Sequence, residues 1–349
     1  MQLIISIVFL VILALLVTSG TAWSDENALD LARFGSGINS KEKLLLEEQV
    51  AKNPYDIDSR TKLLGYYFNK GRKEPDAKSA RERHVLWLIE NAPESEVLRS
   101  AYGQLHKVIE PEGYELAKQA WLRIISESPD NLSTLRNASR YFLMQDHKIS
   151  EELLLRGQSL DPTDPEWSAS LGRLYSLELI SLPEGPLHRT TADKAFRQLE
   201  SAYGLSDPIG KDALLSDLAK TAFAAGLMHE AKKWAEETLE NDSDGWNRGN
   251  RFHHGNLILG RIALAEGNVD EAKSRLLLAG RTEGSPQLDT FGPNMQLAKE
   301  LLERGEKEVV LEYFDLCNKF WVSPRRNLEQ WIEDVKSNRI PNFGGNLWH

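Results

Sequence analysis

Residues 259–279 read Leu-Gly-Arg-Ile-Ala-Leu-Ala-Glu-Gly-Asn-Val-Asp-Glu-Ala-Lys-Ser-Arg-Leu-Leu-Leu-Ala. Gly260 and Ala263 are small residues about one helical turn apart. Ala272, Leu276 and Ala279 then recur at helical spacing, with Gly284 beyond them. Small residues at a crossing let two helix backbones approach, while larger ones fill the layer between successive pairs. Moving outward, the same second-helix pattern is led by Ala80, Ala117, Ser150, Ala195, Ala231, Ala272 and Val310. These positions step by 37, 33, 45, 36, 41 and 38 residues. First helices agree: Leu64-Gly65 with Phe68, Leu171-Gly172 with Tyr175, Leu218-Ala219 with Ala222, and Leu297-Ala298 with Leu301. Turn-like clusters close the segments, among them Asn53-Pro-Tyr-Asp56, Ser128-Pro-Asp-Asn131 and Asp161-Pro-Thr-Asp164. Pro and Asn/Asp at these places end one helix or cap the next. Hardly any segment alternates as a strand does.

The period and the small crossing residues resemble the tetratricopeptide (TPR) family. The resemblance implies an all-α fold, a right-handed α-solenoid of about seven TPR-like helix pairs over residues 56–323. Residues 23–55 read as a degenerate half-repeat. In residues 324–349, Leu328, Trp331, Ile332 and Val335 give one apolar face to a capping helix, and a non-helical tail follows. Such a cap is expected because an end unit would otherwise expose its core. The run from Ser181 to Thr191 is rich in Pro and Gly and reads as a longer loop inside the 45-residue step. His253-His-Gly-Asn256, Gly292-Pro-Asn-Met295, Phe320-Trp321 and Pro341-Asn-Phe-Gly344 resemble a recurring group of exported bacterial TPR-like proteins. That resemblance covers about 250–349 and implies no chemistry.

The first 22 residues form a separate segment. Leu3–Val17 is an apolar run of 15 residues with Ser6 its one polar member. At 1.5 Å per residue it spans about 22 Å, less than a bilayer core of about 30 Å. Gly20-Thr-Ala22 then places small residues before Trp23, as a signal peptide does. Extended to Ala22, the run is instead long enough for an N-terminal membrane anchor through residues 3–22. Either reading sends the remainder out of the cytoplasm, to the periplasm, the medium or the outer side of a membrane.

Composition excludes several classes. The chain has 349 residues, 42 Lys plus Arg against 52 Asp plus Glu, and a net charge of −10. This balance argues against a general nucleic-acid binder. One Cys among 349 residues excludes a disulfide framework and a multi-Cys zinc site. The eight His fall in no ligand spacing, and no P-loop or Gly-x-Ser-x-Gly is present. Neither a metal nor a cofactor is expected. Cys317 is placed in the core of the last unit. His253-His254 is read as a helix-start or surface pair. Trp246 and Trp348 lie outside the repeat pattern, in a loop and in the tail, and are candidates for contacts.

In TPR proteins the residue after the first-helix crossing position faces the concave groove. Here that position holds Tyr66, His106, Ser139, Arg173, Lys220, Arg261 and Lys299, so the last four are basic. His254 shares a helix face with Arg261, nearly two turns away, and Arg248 and Arg251 add charge at the helix start. The partner-binding strip is therefore expected at Arg173, Lys220, Arg261, Lys299, His254 and Arg251. It suits an acidic or C-terminal carboxylate segment of a protein or peptide, since Arg recognises carboxylates at two points. The competing reading pairs these cations with Glu on neighbouring helices. Two other functions stay open: an envelope enzyme with a site near His253, His254 and Arg261, and a membrane-tethered structural spacer.

Overall fold

The computed structural model describes residues 24–349 except 72, 73, 75, 242–244, 322–324 and 349. The expected signal or anchor lies outside the described residues. Among these, no helix is long and apolar enough to cross a membrane.

The fold is all-α, with no strand among the described residues. Helices α1 (Ser24–Gly37), α2 (Ser40–Lys52), α3 (Ile57–Lys70), α4 (Ala77–Asn91), α5 (Pro111–Glu127), α6 (Leu132–Phe142), α7 (His147–Leu160) and α8 (Pro165–Leu179) come first. They are followed by α9 (Pro186–Leu205), α10 (Pro208–Ala225), α11 (Met228–Glu240), α12 (Arg248–Ala265) and α13 (Val269–Gly280). The last are α14 (Pro286–Phe291), α15 (Gln296–Glu303), α16 (Lys307–Cys317) and α17 (Arg325–Lys336). Two compact units divide the chain, one ending at Ser170 and the other beginning at Leu171.

Helix starts follow local chemistry. Asn39 builds a capping box: its Oδ1 accepts from the Lys41 and Glu42 amides, while Glu42 Oε2 accepts from the Asn39 amide at 2.8 Å. Asp56, Asn131, Asp207 and Asn268 each accept an orphan amide of the helix they precede. Pro111, Pro186, Pro208 and Pro286 open helices, where a missing N–H costs nothing.

In the first unit α1 packs on α3, α3 on α4, α4 on α5 and α6 on α7. The α1–α3 crossing needs Gly65, because a Cβ there would lie 1.8 Å from the Ala32 carbonyl oxygen. One expected helix is absent. Between α4 and α5 the chain makes two 3₁₀ turns, Glu96–Arg99 and Ala101–Gly103, so His106 lies in a non-helical segment. The buried Arg81 guanidinium takes the place of helical hydrogen bonding. It donates to the Tyr102, Ala101 and Gln104 carbonyls and pairs with Glu110 at 2.9 Å. Backbone acceptors that a helix would satisfy internally are satisfied there by one side chain.

In the second unit α9 packs on α10, α10 on α11, α11 on α12 and α12 on α13, and α10 also meets α12. The expected loop at 181–191 is shorter than its composition suggested. Pro186 starts α9, so residues 186–191 are helical and the connection is 180–185. Helix α17 buries Leu328, Trp331 and Val335 against α16. Its Trp331 ring lies 5.7 Å from Trp321, 6.1 Å from Phe314 and 5.0 Å from Phe343. Cys317 is fully buried in the same cluster. The tail is not wholly irregular, since Gly344–Leu347 forms a 3₁₀ turn.

Candidate functional site

The second unit contains a cavity of about 1010 Å³. Helices α8, α9, α10 and α12 form its walls, with the 180–185 connection, the Phe291–Gln296 segment and the tail residues Leu347 and Trp348. Its size is that of a cleft for a drug-sized molecule or a few residues of chain.

Four of the six residues of the expected strip line it: Arg173 from α8, Lys220 from α10, and His254 and Arg261 from α12. The first-helix register explains this, because α8, α10 and α12 carry equivalent positions on the same side. Lys299 and Arg251 do not line it. Arg251 is buried in α12 and its guanidinium pairs with Asp212 of α10. Lys299 pairs along its own helix with Glu303 at 3.5 Å. Trp246 and Trp348 both line the cavity while remaining 40% and 47% exposed.

The cations are compensated to different degrees. Arg261 is clamped by Glu300 of α15: Nη2 meets Oε1 at 2.7 Å, and Nε meets Oε1 and Oε2 at 2.9 and 3.2 Å. Its guanidinium also stacks 4.3 Å from the Phe223 ring centre. Lys220 Nζ lies 3.7 Å from Asp217 Oδ1, one turn earlier on its own helix. Burial lowers the Lys220 pKa from the ordinary lysine value, with the Asp217 carboxylate opposing the shift.

His253 is not a helix-start or surface residue. It is fully buried, and both ring nitrogens are engaged. The Asn294 amide donates to Nε2 at 3.1 Å. Nε2 is therefore the acceptor, so Nδ1 carries the proton and donates to the Ala279 carbonyl at 3.0 Å. Burial is the main cause that pushes its pKa down to about 4; the hydrogen bond to Ala279 opposes this and the nearby Lys220 charge adds to it. The ring is a neutral structural bridge. A proton-transfer role would require one of these backbone contacts to break. Among the described residues no group of three or more His, Cys, Asp or Glu is placed to hold a metal.

Three of the four C-terminal motifs meet at this bridge, since the Phe320 ring lies 6.3 Å from His253, while Phe343 of the fourth packs on Trp331 and Phe314. The Asn346 side chain donates to the Phe291 and Pro293 carbonyls at 3.1 and 2.9 Å, and the Asn346 backbone carbonyl accepts from the Met295 amide at 2.7 Å. Tyr313 donates to the Asn294 carbonyl at 2.9 Å and stacks on His253. Gly292 has φ +86°, and a Cβ there would lie 2.6 Å from the Trp321 ring. The tail is thereby held against the loop that forms one wall of the cavity.

Sequence reasoning missed Phe223, Arg189, Gln296 and the 180–185 connection as parts of the wall. The Pro/Gly-rich run was the available signal for the last of these. No protein-family model matches the chain, and no curated protein matches it in sequence.

Proposed function

We propose that this protein is an exported helical-repeat scaffold that binds a protein or peptide. On this reading its cavity takes an acidic or C-terminal carboxylate segment. The observation that carries the reading is the convergence of Arg173, Lys220, His254 and Arg261 on the wall of one cavity, with two half-exposed Trp beside them. On that wall Arg173, Arg189, Lys220 and Arg261 stand against the carboxylates Glu184 and Asp217, on a chain whose net charge is −10. The TPR-like part of the proposal draws on neighbour packing of successive helices and on small residues at crossings. At Gly172 an added Cβ would meet Leu199 and the Ala195 carbonyl, and at Gly260 it would meet Leu297 and the Ala272 carbonyl. A right-handed solenoid of about seven such pairs, closed by α17, is the architecture proposed.

The test is equilibrium binding of short acidic peptides to the full chain, followed by Trp fluorescence, with C-terminal amides as controls. Arg173→Glu and Lys220→Glu should weaken binding at least about tenfold, the equivalent of 1.4 kcal/mol. Equal binding of the acidic peptides and their neutral counterparts to the native chain and to both variants would reject the proposal.

A further inference from the structure

Helix walls of the cavity carry hydroxyls in different states. Ser176 Oγ on α8 donates to the Gly172 carbonyl one turn back at 2.8 Å, and Thr221 Oγ1 on α10 donates to the Asp217 carbonyl at 2.7 Å. Ser216 on α10 makes no such bond: its Oγ is buried and has no hydrogen-bond partner among the described residues. A buried hydroxyl in that state lowers stability, so its presence asks for a cause. Lys220 stands four residues on, one turn further along α10, and also lines the cavity. Its ammonium has three N–H donors, and Asp217 Oδ1, 3.7 Å away, takes no more than one of them. Arg261 differs, because Glu300 holds it at two points. Ala213, Ser216, Lys220 and Phe223 follow one another at spacings of three, four and three, so they form one stripe on the cavity face of α10. Leu214 beside the stripe, Leu177 of α8 and Ile258 of α12 add apolar wall from three helices.

We propose that Ser216 and Lys220 together seat one carboxylate, and that the ligand carrying it is otherwise apolar. Resting on the anion-binding reading above, this narrows the ligand to a single carboxylate on an apolar body, against an acidic run. One carboxylate oxygen accepts from the Ser216 hydroxyl and the other from the Lys220 ammonium, whose flexible stem lets it meet a group one turn away. The hydroxyl thereby gains the partner it lacks. An acidic run would set further charges against Leu177, Leu214, Phe223 and Ile258, which cannot solvate them. An alkyl or aryl body gains by covering the same surface, by about fourfold in affinity per buried CH₂. That chemistry has two sources, the apolar C-terminal residue of a polypeptide and a free medium-chain fatty acid.

The experiment is isothermal titration calorimetry of the full chain at pH 7 with two carboxylate probes. One is decanoate, with hexanoate, octanoate and the neutral decanol in parallel. The other is an N-acetylated peptide ending in Gly-Gly-Phe with a free carboxylate, with its C-terminal amide and an amidated acidic-run peptide in parallel. At least one carboxylate probe should bind, about tenfold or more tighter than its neutral counterpart and than the acidic run. Ser216→Ala and Lys220→Met should each weaken that probe by about tenfold and leave decanol unchanged. The ligand-free Ser216→Ala variant should melt no lower than the native chain, because its hydroxyl has no bond to lose. Decanoate binding without the peptide assigns the seat to a free acid, and the reverse assigns it to a chain terminus; both uphold it. Unchanged carboxylate binding by both variants, or tighter binding of the acidic run, overturns the inference and leaves the anion-binding reading standing. A lower melting point of Ser216→Ala with unchanged binding marks a structural hydroxyl and overturns it too. Failure of every carboxylate and acidic probe to bind overturns both.

Discussion

His253 and Asn294 are joined by a backbone amide that donates to an imidazole nitrogen, at 3.1 Å, across 41 residues of sequence. Because Nε2 accepts that bond and Nδ1 donates to Ala279, the ring can take a proton only by losing a hydrogen bond to the backbone.

Acid should therefore weaken the protein through this residue. The folded-state pKa of His253 is about 4, against 6.5 in the reference state. Above pH 6.5 both folded and unfolded rings are neutral and the group contributes nothing. As pH falls from 6.5 towards 4, the unfolded chain binds the proton first and stability is lost, by about 3 kcal/mol at most. In urea titrations at pH 7, 6, 5 and 4.5, His253→Gln should show a shallower fall than the native chain. Parallel profiles would count against the assignment.

The Arg261–Glu300 clamp yields a charge-swap prediction. Both side chains are about one-fifth exposed. Arg261→Glu places two carboxylates at contact distance and should cost about 2 kcal/mol, between the values for exposed and buried pairs. The double variant Arg261→Glu with Glu300→Arg should recover more than half of the lost thermal stability. A double variant no more stable than the single one would show that the pair is incidental.

The tail should loosen when its anchor is cut. Asn346→Ala leaves the Phe291 and Pro293 carbonyls without their side-chain donor, at a cost of about 1–3 kcal/mol. Acrylamide quenching should rise, because Trp348 lies two residues further on. Gly292→Ala should be worse, since it combines a positive φ with a clash on the Trp321 ring. Limited proteolysis that leaves the C-terminus equally resistant in both variants would contradict this role.

Cys317 should be inert in the folded protein. Its thiol is fully buried and burial raises its pKa, so thiolate is scarce and access is closed. Ellman's reagent should report no free thiol in native buffer and one per chain in denaturant. A prompt native reaction would show that the last helix layer opens readily.

Much of the local structure is legible in the sequence. The Asn39 box, the Asp207 and Asn268 caps and the prolines at helix starts act within four residues of themselves. Small residues at Gly65 and Gly260 mark close approaches because a Cβ has no room there. The apolar spacing of Leu328, Trp331 and Val335 matches the buried face of α17. Residues 96–110 were not legible. Their helix is replaced by an Arg81 network, whose donor lies about 20 residues away from the carbonyls it serves.

The all-helical character of the chain, many of its helix starts and the positions on equivalent faces can be read from the residues alone. Those properties depend on periodicity and on hydrogen bonds between near neighbours. Which cations pair with which carboxylates depends instead on how distant helices pack. Arg251 and Arg261 lie on one helix, yet Asp212 withdraws the first into the interior and Glu300 holds the second beside the cavity. Each partner is 39 residues distant. Pairing at that separation depends on how helices pack, and the same packing puts Lys220 on the cavity wall, 29% exposed, with Asp217 3.7 Å away.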